Sequence, residues 1–219
     1  MHTQNLFDEE INKIRRELML MAARVEEDLG KALSVLRSGS EVLVKEVKQS
    51  GKLVDAQQLQ IEDAVLVLIA THQPKARDLR EAIMIFKFTS NLERIGDYSI
   101  HLVKAAKNYL GGPPLRAVTR IELMARTGQE MLKAAFSAYL AQDADAARKA
   151  AAMDDAIDSE HRALTEEVLA FMKEKPRLIK TAARLLKLSG YMERMGDHIT
   201  NICEGIIYMI EGSHEELNT

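Results

Sequence analysis

Two short stretches carry the most distinctive chemistry in this chain: Leu92-Glu93-Arg94-Ile95-Gly96-Asp97 and Met192-Glu193-Arg194-Met195-Gly196-Asp197. Each holds a Glu and an Asp at i and i+4, and on a helix those positions share a face. Side-by-side carboxylates repel by roughly a few tenths of a kcal/mol unless a cation sits with them. Oxygen donors without thiolates suit hard or borderline cations such as Mg²⁺, Mn²⁺, Ca²⁺ or iron. The two copies lie one hundred residues apart, so one structural unit is used twice.

The second copy is the richer one. Asp154 and Asp158 are four apart on the preceding helix, while Glu193, Asp197, Asn201 and Glu204 step by four, four and three along the last. All six are expected to line one groove between two packed helices. So many carboxylates exceed the charge of one divalent ion, which points to a multinuclear site. His161 and His198 offer imidazoles or outer contacts to the ligands. In the first copy Asp55 accompanies Glu93 and Asp97, but Gly51, His101 and Lys104 stand where the second has Asp154, Asn201 and Glu204. A lysine repels a cation, so this site is expected to be weaker or vestigial. His101 reads either as a ligand or as a polar helix histidine. Gly96 and Gly196 each cost a helix about 1 kcal/mol, tolerable where another backbone comes close. The competing reading is plain: Arg94 and Arg194 stand three residues before Asp97 and Asp197, and solvated ion pairs would explain the same letters.

Helices must position these residues. Ala, Leu, Met, Glu, Lys and Arg dominate, aromatics are only 5%, and strand-like alternation is absent, which predicts an all-α chain. Ile11, Ile14, Leu18, Met21, Val25, Leu29, Ala32 and Leu36 form one apolar stripe. Leu185, Leu188, Met192, Met195, Ile199, Ile202, Ile206 and Met209 form a heptad-like seam. Breakers fall at Ser38-Gly39-Ser40, at Pro74 and Pro176 (each expected to open a helix), at Gln142-Asp143 as an N-cap, and at Gly212. Gly111-Gly112-Pro113-Pro114 is the strongest break. The expected architecture is two tandem antiparallel three-helix bundles of six long helices, over residues 1–110 and 115–212, with a tail at 213–219.

Composition narrows the function. Hydrophobic residues at 47% suffice for a packed core, and a net charge of -3 leaves no basic field for nucleic acid. A lone Cys203 makes no internal disulfide, and no Cys/His pair has zinc-finger spacing, so a reducing cytoplasm is expected. Residues 1–10 lack an export signal, and the longest apolar run, Ala64 to Ala70, is far short of the ~20 residues of a membrane span. Membranes are therefore reached only through partners. No nucleophile–base pair or Gly-rich phosphate loop is evident, which favours a binding module over an enzyme. A carboxylate-bridged di-metal enzyme would want Glu-x-x-His on two helices. Only Glu211 and His214 match, interrupted by Gly212-Ser213. A metal-free helical adaptor is the third class. Arg77, Asp78 and Arg80 begin the third helix with a charge pattern that Ile179-Lys180-Thr181-Ala182 lacks, making them a candidate partner surface. As solvated helix charges they would need no partner at all.

The chain resembles the PhoU family of cytoplasmic regulators of bacterial phosphate uptake over essentially its whole length. Beyond the duplicated Glu-Arg-x-Gly-Asp motif, the likeness includes Phe7-Asp8-Glu9-Glu10, the run from His72-Gln73-Pro74 to Asp78-Leu79-Arg80, and the run from Ala151 to Asp158. The resemblance implies two three-helix bundles whose acidic motifs bind metal, as iron or zinc clusters or as Mg²⁺ or Mn²⁺. The C-terminal site would be Asp154, Asp158, Glu193, Asp197, Asn201 and Glu204; a partial N-terminal one would be Asp55, Glu93 and Asp97. It further implies a homodimer and a negative regulator of the phosphate-starvation response. Such a regulator would stand between the ATPase subunit of the phosphate ABC transporter and the phosphate-sensing histidine kinase.

Overall fold

The computed structural model describes residues 2–106 and 115–217. Among them every regular element is helical: α1 (His2–Ser38), α2 (Glu41–His72), α3 (Ala76–Ala106), α4 (Leu115–Ala141), α5 (Ala144–Ala151), α6 (Asp154–Glu174) and α7 (Ile179–Glu211). Helices α1 to α3 form one antiparallel bundle. Helices α4, α5–α6 and α7 form the second, so the chain is an all-α tandem repeat. The break expected at Gly111-Gly112-Pro113-Pro114 lies outside the described residues.

Turn chemistry sets the other boundaries. Gly39 takes a left-handed φ of 64° after α1, and the Ser40 hydroxyl caps α2 by accepting the Leu43 N–H at 3.4 Å. Asp143 caps α5, accepting the Ala146 N–H at 2.9 Å. Gly212 ends α7 with φ 79°. Pro74 does not itself open α3: Gln73 and Ala76 both have φ 48°, so the chain turns again after the proline before the helix sets in. Pro176 starts a short 3-10 turn, Pro176–Leu178, that leads into α7. The second helix of the second bundle is interrupted at Ala152 and Met153, which places Asp154 in the first turn of α6.

The sequence stripes become the core. Ile11 to Ala32 of the α1 stripe are buried, with Leu36 packed against them, and every residue of the α7 seam is buried. Each such Leu, Ile or Met contributes on the order of 2 kcal/mol. α7 buries more than its seam, including Thr200, Cys203 and Ile207, because α3, α4, α5 and α6 all pack against it. Contacts of α3 with α7 and of α1 with α4 join the two halves. Among the described residues no helix is long and apolar enough to cross a membrane.

Candidate metal centre

The start of α6 lies against the middle of α7 at Gly196. A Cβ added there would collide with Asp154 Oδ1 and come within 3.2 Å of Ile157, so the glycine makes the cradle in which the carboxylate rests. Thr200 donates to Asp154 Oδ2 at 3.3 Å, whereas Oδ1 is buried with no hydrogen-bond partner. An orphaned carboxylate oxygen is costly, because it has lost its water without gaining a donor. Burial, reinforced by the charges of Asp158, Asp197 and Glu193, pushes the Asp154 carboxyl up to about 7.

Its neighbours share the strain. Burial and the Asp197 charge raise Glu193, with His161, Asp158 and Arg194 as smaller influences. Burial and Asp158 raise Asp197 against the opposing Arg194. Asp154, Asp158, Glu193 and Asp197 therefore form one electrostatic cluster from two helices. A dehydrated oxygen, a glycine cradle and an all-oxygen donor set fit a hard or borderline cation. The fit is not yet a closed cage: among the described residues no three His, Cys, Asp or Glu side chains converge closely enough to hold an ion. Nearby Cys203 is no thiolate ligand in waiting, since burial first, then Glu204 and Asp154, push its thiol up to about 12.

Asn201 and Glu204 stand apart from this group. α6 begins at Asp154, already opposite Gly196 and Thr200, and four further residues along α7 advance about 6 Å beyond that start. Glu204, at that distance, and Asn201, one residue after Thr200, line a cleft of about 430 Å³ shared with α3 and the segment after α7. Glu204 accepts the Leu217 N–H at 2.7 Å. The histidines hydrogen-bond to residues outside the carboxylate group, although His161 still acts on Glu193. His161 Nδ1 lies 2.8 Å from Ser189 Oγ, and His198 Nδ1 donates to Asn91 Oδ1 at 2.9 Å.

The first copy keeps Asp55, Glu93 and Asp97 but loses the cradle and the carboxylate that occupies it. Burial, Asp97 and Asp55 raise Glu93, so these three carboxylates still feel one another, while Arg94 pairs with Glu93 at 3.5 Å. A Cβ at Gly51 would collide with Ile100 Cδ1. The polar pair Asp154 and Thr200 of the second half is thus replaced by Gly51 and Ile100. At Gly96 a Cβ would meet Val54 at 3.6 Å and Val25 at 3.8 Å, both ordinary contacts. The His101 ring lies tilted by 34° against Tyr191, centroids 4.6 Å apart, and burial followed by Lys104 lowers its pKa.

Two groups escaped the reading of the sequence. Tyr98, His101, Tyr191 and His198 gather where α3 meets α7. Tyr98 and His198, like Asn91 and Tyr191, are one hundred residues apart. Extending the repeat residue by residue would have paired them. The second group has no such signal: Arg15 makes two 2.6 Å bonds to buried Glu81, which also accepts from Tyr139 at 3.2 Å. Arg77 and Asp78 line the adjoining cleft of about 790 Å³, and Arg77 donates to Gln142 Oε1 at 2.6 Å. Arg80 points instead to the end of α7, donating to the Met209 carbonyl at 3.4 Å, where a cation suits the helix terminus.

These features define a class, a helical tandem-repeat protein with one acidic cluster in each bundle. A family model described as the PhoU domain matches residues 18–106 and again 121–206. The chain belongs to the PhoU family. It is 30% identical over 217 residues to the phosphate-specific transport system accessory protein PhoU homolog of Clostridium acetobutylicum, covering 99% of each chain. It is 29% identical over 211 residues to the phosphate-specific transport system accessory protein PhoU of Escherichia coli, covering 96% of this chain and 88% of that one. The crystal structure of PhoU from Pseudomonas aeruginosa superposes with a TM-score of 0.89 at 29% identity, covering 94% of this chain and 100% of that one. The phosphate transport system regulatory protein PhoU from Streptococcus pneumoniae does so at 0.86 and 28% identity, covering 96% and 99%.

Proposed function

We propose that this protein is a metal-binding regulator of phosphate uptake. It acts in the cytoplasm as a homodimer, holding down the phosphate-starvation response when phosphate is plentiful. Its output passes to the ATPase subunit of the phosphate ABC transporter and to the phosphate-sensing histidine kinase, and it meets the membrane only through them. The names of its relatives, accessory proteins of phosphate-specific transport, support the setting. One observation carries the metal reading: Asp154 Oδ1, buried and unpartnered in the Gly196 cradle and pressed by three further carboxylates.

In this reading Asp154, Asp158, Glu193 and Asp197 hold iron, zinc, Mn²⁺ or Mg²⁺, with Asn201 and Glu204 drawn in to complete a di- or multinuclear site. Asp55, Glu93 and Asp97 form a weaker second site. Arg77 and Asp78, lining the cleft of about 790 Å³, offer a surface for protein partners, while Arg80 braces the end of α7. Deletion of the gene should derepress a phosphate-starvation reporter in phosphate-rich medium, and a pull-down from those cells should recover the ATPase subunit and the kinase. A reporter indifferent to the deletion would reject the regulatory role.

A further inference from the structure

Helix α2 packs on α1 and α3, and its far side is open to solvent. That open side is apolar over its second half: Leu59 is 63% exposed, Leu66 56% and Val67 58%. A single exposed leucine is ordinary, but three such side chains within eight residues on one side of a helix form a patch. The other half of the repeat shows what a solvated version of this face looks like. Counted from the matching aspartates Asp55 and Asp158, Leu59 and Ala70 stand where α6 has Arg162 and Lys173, both exposed. The first bundle has put apolar groups where the second keeps cations.

The charges of α2 are segregated along the same face. Its outward stripe runs from Lys45 to Ala70 in steps of three and four, every member exposed. Lys45, Lys48 and Lys52 occupy the first half, Asp63, Val67 and Ala70 the second, with Ala56 and Leu59 between them. Lys52 and Asp63 make no ion pair with a described residue. The pairs Ala56/Leu59, Lys52/Asp63, Lys48/Val67 and Lys45/Ala70 all share one centre, between Gln57 and Gln58. Reversed about that centre, the stripe is its own complement.

A contact between identical surfaces requires such self-complementarity, because residue i of one copy meets residue j of the other and j meets i. A second α2 laid antiparallel would set Leu59 on the small Ala56 and Lys52 opposite Asp63, each twice. The stems of Lys45 and Lys48 would cover Ala70 and Val67, their ammonium groups near the carbonyl end of the other helix, where cations are favoured.

We propose that the outer face of α2 is the contact between two copies of this chain, packed antiparallel about a two-fold axis at Gln57 and Gln58, with Lys52 of each copy paired to Asp63 of the other. This rests on the homodimer reading above and gives that dimer its surface. It also leaves the cleft beside Arg77 and both acidic clusters to other contacts, since none of the stripe residues belongs to them.

Analytical ultracentrifugation of the full chain over a dilution series tests this. The parent should sediment as a dimer. Leu59→Glu should weaken self-association by about tenfold or more while the helical circular dichroism signal is kept. Lys52→Glu and Asp63→Lys should each weaken it by a similar factor, because each sets like charges opposite one another. Lys52→Glu combined with Asp63→Lys reverses both ends of the pair and should return the affinity to within about threefold of the parent. A parent dimer indifferent to Leu59→Glu, or a double variant as weak as the single ones, overturns the α2 contact and leaves the homodimer reading standing. A monomeric parent overturns both. If that monomer co-sediments with phosphatidylglycerol vesicles and Leu59→Glu does not, the face belongs to a membrane surface instead.

Discussion

His198 on α7 donates its Nδ1–H to Asn91 Oδ1 on α3 at 2.9 Å, joining the two halves of the repeat. The mirrored contact is the stacking of Tyr98 on Tyr191, centroids 5.7 Å apart. Asn91 corresponds to Tyr191 and Tyr98 to His198, so one pair of equivalent positions is used twice with different side chains. Both are partly buried between the acidic motifs, and burial, then Arg94 and Arg194, lower the His198 pKa. A neutral imidazole donating through Nδ1 leaves Nε2 to accept from Tyr98 O–H, 3.4 Å away.

Truncating Tyr98 to alanine removes three ring contacts from this junction and should lower stability by about 1–2 kcal/mol. Urea denaturation is the measurement. A loss too small to resolve would mean that α3 and α7 are held by their aliphatic contacts alone.

The two motif glycines should behave oppositely. A methyl at position 196 displaces the Asp154 carboxylate, whereas at position 96 it meets Val54 and Val25 at ordinary distances of 3.6 and 3.8 Å. Gly96→Ala should therefore be stabilising by about 0.5–1 kcal/mol, the usual helix gain over glycine. Gly196→Ala should weaken Mn²⁺ binding by about tenfold or more while the helical circular dichroism signal is kept. Equal effects of the two substitutions on binding would count against the cradle.

Asp154 gives the metal-free protein a pH dependence of known sign. Its folded pKa of about 7 lies above the ~3.9 of an unfolded aspartate, so between those values the folded state holds the extra proton. Its contribution is fully present below about pH 4 and is lost as pH rises through about 7. Asp154→Asn should remove that decline, so the variant gains on the parent between pH 4 and pH 8 in chelator-treated urea titrations. Parallel curves for the two proteins would show that the carboxyl titrates normally.

The helix stripes and the acidic duplication were legible because both depend on short, regular spacings. Ile11 to Leu36 and Leu185 to Met209 sit where their steps of three and four put them, in the bundle interior. The division of the six-residue set, five carboxylates and Asn201, was not legible. It depends on where α6 starts, and that start is an interruption at Ala152 and Met153 with no glycine or proline to announce it. The loss of the cradle in the first half was half visible: Gly51 stands out in the sequence, but nothing there shows that Ile100 fills the space beside it. Long-range polar pairs such as Arg15 with Glu81 leave no periodic trace, because each partner alone looks like an ordinary helix charge.

That pair supplies a stability test of its own. Glu81 is 4% exposed, so removing Arg15 strands a buried carboxylate with one Tyr139 hydroxyl. Arg15→Met should cost about 2 kcal/mol, less than a fully enclosed pair because Arg15 is partly open to solvent. Adding Glu81→Leu should recover most of the loss, since an apolar pair carries no stranded charge. A double variant no more stable than Arg15→Met would contradict this.

The central claim is that the second acidic cluster is the principal metal site, and metal content of purified protein tests it most directly. Elemental analysis should compare the parent with Glu193→Ala/Asp197→Ala and with Glu93→Ala/Asp97→Ala, all confirmed helical. The continuous apolar seams, not ligation, carry the fold, so all three should keep their helices. The first double variant should lose most of the bound metal and the second distinctly less. Metal retained by the first and lost by the second, or absent from the parent after loading with iron, zinc or Mn²⁺, would contradict the claim.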